Sequence, residues 1–287
     1  MRDDLYVEAA AATHPGRRRI NADAFLTFDA GGLFAVADGM GDRPTSSNAA
    51  QIAVESVRMR FRETWMWLPM EERSLEGARM RLAHGVALAH TRLYRPGPAQ
   101  VHRIGTTFAG LVVCGPDGGV LCLAHVGDSR VLLLRRRAAT LEPLTRDHTV
   151  REEGSKRRLP VPSASGVFRC DALTRAVGAT RNAAPDLGTT EWAPGDIAVL
   201  CTNGVSDRVG PDELAEVLLE EPDLGVAARR IVQRAVATGG WDNATLVLVR
   251  RQEMQVQPGT IGSVSERPEE TTEGLSISRQ RSAGTPD

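Results

Sequence analysis

The sequence predicts one large α/β domain followed by a polar tail, and three observations predict it. Short apolar runs of strand length, among them 33–37, 120–126 and 197–201, are punctuated by Gly, Pro and Asp. Between them, apolar residues recur at helical spacing, as in 46–61 and 71–94. From Gln252 onward the composition turns to Ser, Thr, Glu, Gln, Gly and Pro with few large apolar residues, which cannot bury a core. The chain has 287 residues, so a folded region over 1–251 and a disordered tail over 252–287 account for its length.

Composition narrows the function classes. Hydrophobic residues make up 41% and charged residues 25%, ordinary for a soluble globular protein. Lys+Arg (35) balance Asp+Glu (36), so bulk charge favours neither nucleic acid nor an anionic membrane as partner. The cysteines Cys114, Cys122, Cys170 and Cys201 form no C-x-x-C pair, which argues against zinc and for reduced, buried thiols. Cys114 and Cys122 flank a turn and could face each other across a hairpin. The N-terminus lacks the apolar core of a signal peptide, and no apolar run reaches the roughly 18 residues of a membrane span, so a cytoplasmic protein is expected.

Taken in order, residues 5–12 read as a first strand. The turn at Pro15-Gly16 leads into Arg17-Arg18-Arg19, either a solvated patch or an anion clamp, since guanidinium grips phosphate oxygens through two donors. Asp23 precedes the apolar Ala24-Phe25-Leu26 and sits at a strand entrance. The run Leu33–Ala37 ends in Asp38-Gly39-Met40-Gly41. A carboxylate at the end of a core strand, followed by an accessible carbonyl, can form half of a hard-cation site, although Asp-Gly is also a common hairpin signal.

Helices are expected over 46–61, with Ala49, Ile52, Ala53, Val57 and Phe61 inward, and over 71–94, stopped by Pro96-Gly97-Pro98. His84 and His90 on the second helix read as partly exposed residues, not ligands. Gly105-Thr106-Thr107 opens a strand that runs to Cys114, turns at 115–119 and returns over 120–126. That strand ends at Gly127-Asp128-Ser129-Arg130, a second carboxylate at a strand corner, and another strand follows over 131–134. Residues 146–170, basic and proline-bearing, read as a mobile surface insertion.

Pro194-Gly195-Asp196 precedes the strand 197–201, which ends in Thr202-Asn203-Gly204. Pro211 can occupy the first turn of a helix over 212–219, and a last helix is expected over 226–237 with Ile231, Ala235 and Val236 inward. The tight turn Gly239-Gly240-Trp241-Asp242-Asn243 leads into a final strand, 244–249.

Asp38, Asp128, Asn203 and Asp242 therefore lie at strand ends far apart in sequence. A fold that gathers strand ends would make one oxygen-rich pocket. Clustered carboxylates are costly away from water, and a divalent cation is the usual remedy. Ligation by oxygen alone points to Mg²⁺ or Mn²⁺. Two such ions about 3.5–4 Å apart can activate water and steady the leaving oxygen at a phosphoryl centre.

The motifs resemble those of the metal-dependent, type 2C Ser/Thr protein phosphatases (the PPM family), particularly the bacterial branch. The matching stretches are Arg18-x-x-Asn21-x-Asp23, Asp38-Gly39-Met40-Gly41, Gly105-Thr106-Thr107, Val126-Gly127-Asp128-Ser129-Arg130, Leu144-Thr145-Arg146-Asp147-His148, Leu173-Thr174-Arg175-Ala176-Val177-Gly178, Pro194-Gly195-Asp196, Asn203-Gly204 and Asp242-Asn243-x-Thr245. The resemblance implies an α+β fold, a four-layer α-β-β-α sandwich of two antiparallel sheets flanked by helices. It implies hydrolysis of Ser/Thr phosphoprotein substrates, set there by a Ser/Thr kinase, through water activated by two Mn²⁺ or Mg²⁺ ions with a possible third.

Carried over by spacing, Asp38 would bridge both metals, the Gly39 carbonyl would bind one, and Asp242 would hold the other. Asp128 would serve the third ion together with Asn203, and Asp23 would stand behind the metals. Arg18 would contact the substrate phosphate, with Arg19 as the competing assignment. Residues 146–170 would be the flap beside the site. Two positions depart from the family pattern: Ala22 replaces an acidic residue or Gln, and Asn203 replaces a metal-ligating Asp. Asn oxygen can ligate a hard cation but adds no charge, so the resemblance leaves two functions open, a phosphatase of lowered metal affinity and a pseudophosphatase that binds without turnover.

Overall fold

Most of the strands have both faces covered, which is why the sequence shows unbroken apolar runs where a half-exposed sheet would alternate. The computed structural model describes residues 7–40, 44–94, 104–157 and 172–252. Along the chain come β1 (Val7–His14), β2 (Asp23–Phe28), β3 (Leu33–Asp38), α1 (Pro44–Arg62), α2 (Leu75–Leu93), β4 (Phe108–Cys114), β5 (Val120–Val126), β6 (Arg130–Arg135) and β7 (Thr140–Pro143). There follow α3 (Val150–Arg157), β8 (Asp186–Glu191), β9 (Ile197–Cys201), α4 (Asn203–Ser206), α5 (Pro211–Glu220), α6 (Leu224–Ala237) and β10 (Ala244–Arg251). The strands make two five-stranded sheets in the orders β1-β10-β9-β6-β7 and β2-β3-β4-β5-β8, antiparallel throughout.

Alternation along each strand sorts its side chains between two cores. Phe34, Val36, Leu111, Leu123, Leu133, Leu200 and Val247 meet between the sheets. Leu33, Ala35, Val112 and Cys122 face outward against Ala49, Val57, Phe61, Leu82 and Val86 of α1 and α2. On the other side, Leu134, Ile197, Val199 and Leu246 pack under Leu214, Val217 and Ile231 of α5 and α6. The result is the α-β-β-α sandwich that the resemblance implies. Each fully buried aliphatic or Phe side chain contributes about 1.5–3 kcal/mol.

Three features differ from the sequence reading. The helix expected from residue 71 begins at Leu75, because Ser74 accepts the Gly77 N–H and caps it. Just before that cap, the Arg73 guanidinium turns in to the carbonyls of Ala30, Met66 and Leu68. Strands β7 and β8 carry no apolar run because each is the edge of its sheet and buries little. Cys114 and Cys122 do not face each other: the register pairs Cys114 with Val120 and Cys122 with Val112. With Cys201 they are free and buried, and burial raises the Cys114 and Cys122 thiols to about 11 and about 12.

Helix α3 occupies part of the stretch read as a surface insertion. Residues 158–171, the expected tail, Cys170 and the Pro96-Gly97-Pro98 stop lie outside the described residues. Among the described residues, no helix is long and apolar enough to cross a membrane.

Candidate active site

The carboxyl end of β3, the corner between β5 and β6, the end of β9 and the start of β10 all reach the same end of the sandwich. A cavity of about 200 Å³ opens there, lined by Arg18, Asp38, Gly39, Met40, Thr107, Asp128, Leu173, Asn203, Asp242 and Asn243. The fold thus brings Arg18, Asp38, Gly39, Asp128, Asn203 and Asp242 together. Asp23 lies behind this lining, cross-strand from Asp38, with Oδ2 accepting the Thr202 hydroxyl at 2.9 Å. Of the consecutive arginines, Arg18 lines the cavity and Arg19 does not.

The polar motif residues hold these groups in place. Thr107 donates its N–H to the Asp38 carbonyl and accepts the Asp38 N–H at its hydroxyl, both at 2.9 Å; Thr106 Oγ1 adds a second donor to that carbonyl at 2.8 Å. The Thr107 hydroxyl also meets Ser129 Oγ at 2.6 Å, tying the Asp38 strand to the Asp128 corner. Asn243 clamps the arginine loop: its amide donates to the Pro15 and Ile20 carbonyls at 2.9 and 3.0 Å, and its oxygen accepts the Ala22 N–H at 2.8 Å. Gly16, at φ 60°, passes so close to the Asp242 carbonyl that a Cβ there would overlap it. Gly204 makes the same close approach to the Asn243 carbonyl. These glycines are therefore packing requirements, not incidental turn residues.

Charge is crowded here. Burial, then the charges of Asp23, Asp242 and Asp128, push the Asp38 carboxyl well above its ordinary range, with Arg18 pulling the other way. Burial also raises Asp23. Asp128 rises to about 6 through burial, with Asp147 and Asp207 adding to it and the Asn203 amide opposing it. One oxygen each of Asp23 and Asp128 is buried without a hydrogen-bond partner. Arg18 meets Asp242 through Nε and Nη2, both at 3.2 Å, and Asn203 Nδ2 donates to Asp128 Oδ2 at 3.3 Å.

This donor set fits a hard divalent cation. The cavity is lined by carboxylate, amide and carbonyl oxygens and no Cys or His, Asp38 and Asp128 are destabilised in their charged form, and two buried oxygens lack partners. Among the described residues no three His, Cys, Asp or Glu side chains form a ready-made ion cage. Arg18 and Asn203 instead engage the outlying carboxylates.

Sequence reasoning missed two contributors. Asp207 stands four residues beyond Asn203, one helical turn away, and its charge acts on Asp128; that spacing was the available signal. Thr202 bridges Asp23 and the backbone of Thr245, accepting the Thr245 N–H at 3.0 Å, a role that no local pattern reveals.

Two antiparallel sheets between helical layers, with an acidic cavity at the strand ends, define the architecture of the PPM serine/threonine phosphatases. The family described as protein phosphatase 2C matches residues 12–221, and the chain belongs to it. It is 25% identical over 253 residues to Protein phosphatase PhpP of Streptococcus pneumoniae, covering 86% of this chain and 98% of that one. It is 28% identical over 232 residues to Serine/threonine phosphatase stp of Listeria monocytogenes serovar 1/2a, covering 80% and 89%. Among solved structures, the S. agalactiae serine/threonine phosphatase superposes with a TM-score of 0.73 at 26% identity, over 86% of this chain and 100% of that one.

Proposed function

We propose that this protein is an active phosphatase that removes phosphate from Ser and Thr of phosphoproteins with the help of Mn²⁺ or Mg²⁺. The observation that carries the reading is the gathering of Asp38, Asp128, Asn203 and Asp242, from four separate strand ends, around Arg18 in one cavity. Asp38, the Gly39 carbonyl and Asp242 would hold two ions, and Asp128 with Asn203 a third held more weakly. Bound there, divalent cations would lower the pKa of water and draw charge from the phosphoryl centre. Arg18 would orient the substrate phosphate through its guanidinium fork, exchanging Asp242 for the phosphate oxygens. Asp23 would brace Asp38 from behind.

A second reading, phosphoprotein binding without turnover, is favoured by one observation: Asn203 gives Asp128 a neutral N–H where the family places a charged ligand. A Mn²⁺ titration of aryl phosphate hydrolysis, wild type beside Asn203→Asp, separates the two. Turnover by wild type, half-saturating at Mn²⁺ concentrations about tenfold above those of the variant, is the expected result. A silent wild type at millimolar Mn²⁺, beside an active Asn203→Asp, would establish the second reading.

A further inference from the structure

Among the described large apolar side chains, Trp241 is the most exposed, at 65%. It directly precedes Asp242 at the rim of the cavity. The guanidinium of Arg17 lies over its ring, 5.0 Å from the centroid. Arg17 directly precedes Arg18, the partner of Asp242. Consecutive residues of one loop are thus matched to consecutive residues of another: Arg17 to Trp241, Arg18 to Asp242. Beneath them Asn243 clamps the Pro15 and Ile20 carbonyls, and Gly16 packs against the Asp242 backbone.

Arg17 is therefore a braced cation, not a freely swinging surface chain. An indole ring offers no lone pair, so the contact positions the charge without consuming the N–H fork. Part of the entropy an arginine loses on binding has been given up in advance. Arg17, Arg18 and Arg19 are all exposed. The rim is cationic although the cavity behind it is acidic.

We propose that Arg17, held by Trp241, recognises an Asp or Glu side chain next to the phosphorylated Ser or Thr of the substrate, making this chain selective for acidic phosphorylation sites. The proposal rests on the phosphoprotein reading of the cavity. Arg17 is the specificity-determining group and Trp241 its positioning residue.

The test measures binding, so that it reads the rim whether or not phosphate is turned over. Fluorescein-labelled peptides carrying a non-hydrolysable phosphonate analogue of phosphoserine, flanked by Glu or by Gln, are titrated with the full chain in Mn²⁺ and followed by anisotropy. Wild type should bind the Glu-flanked peptide about tenfold more tightly. Arg17→Gln should erase that preference, Trp241→Ala should erase most of it, and Trp241→Phe, which keeps an aromatic face, should retain most of it. Arg137→Gln, the same charge change at the other end of the strands, should leave it intact. Equal affinity of wild type for both peptides, or a preference that survives Arg17→Gln, overturns the proposal. Loss of preference in Arg137→Gln overturns it too, by making the effect one of net charge. Aryl phosphate turnover by wild type, assayed separately, judges the hydrolytic reading alone.

Discussion

At the end of the strands remote from the cavity, Asp196 follows Gly195 just as Asp128 follows Gly127, yet its carboxylate is fully engaged. Its oxygens accept the N–H groups of Arg136 and Ala193, both at 3.0 Å, with Arg135 Nη1 at 3.5 Å. Nearby, Asp117 in the β4–β5 turn accepts the Gly119 N–H and the Arg251 guanidinium, each at 3.0 Å. At the cavity end, Asp38, Asp23 and Asp128 are half-buried beside one another, and one buried oxygen each of Asp23 and Asp128 has no partner. The same Asp-beside-Gly punctuation thus closes a turn at one end and loads charge into a pocket at the other. Carboxylates held in destabilising, incompletely satisfied surroundings cluster at functional sites.

The strongest test of this contrast is Asp38→Ala. Activity should fall by more than about a hundredfold, since even groups behind a metal ligand cost 10–100-fold. The fold should hold, and in chelator its melting temperature should match or exceed that of wild type, because a half-buried carboxyl repelled by its neighbours has gone. Full metal-dependent turnover in this variant would misplace the site. Asp196→Ala should do the reverse. It strands the backbone N–H donors of Arg136 and Ala193, costing about 3 kcal/mol in urea denaturation, while Mn²⁺-dependent activity per folded molecule stays at the wild-type level.

An intermediate effect belongs to the imidazole pair behind the cavity. The His125 ring meets the His148 ring at a tilt of 50°, centroids 4.5 Å apart, and Asp147, Asp186 and Arg175 also act on it. Burial, then the His148 charge, lowers His125 from 6.5 to about 4. As pH falls, the unfolded chain therefore takes up this proton first. The associated stability is complete above about pH 6.5 and drains away as pH falls toward 4, amounting to about 2 kcal/mol between pH 7.5 and 5. His125→Leu should remove that share of the acid sensitivity, read from denaturant midpoints at the two pH values. An unchanged pH slope would show that His125 takes up its proton at the same pH in the folded protein as in the unfolded chain.

How much of this was legible in the sequence follows from burial. Strands β5 and β9 announced themselves at their true boundaries because both faces are covered and the runs are wholly apolar. Strands β7 and β8 did not, because an edge strand is held by backbone hydrogen bonds that leave no side-chain pattern. The cavity residues were legible only as an ordered set. Taken singly, Asp38 and Asp196 look alike, and what separates them is the partners that tertiary structure supplies. Asp207 and Thr202 were missed because their roles exist only once β9, α4 and β10 are packed together.

The smallest predicted effect sharpens the contrast within the engaged end itself. Arg135 reaches two carboxylates: Asp196, whose side chain is 5% exposed, and Glu142, 48% exposed, at 3.2 Å. Its guanidinium also donates to the Glu191 carbonyl at 2.7 Å and to Thr190 Oγ1 at 3.1 Å. Glu142→Ala therefore removes a solvated partner from an arginine that keeps several others, and exposed pairs contribute between about 0 and 1 kcal/mol. The variant should unfold within about 0.5 kcal/mol of wild type, with the difference shrinking further in high salt. A loss as large as that of Asp196→Ala would mean that the engaged end is stabilised by net charge and not by satisfied buried hydrogen bonds, and the distinction drawn between the two ends would fail.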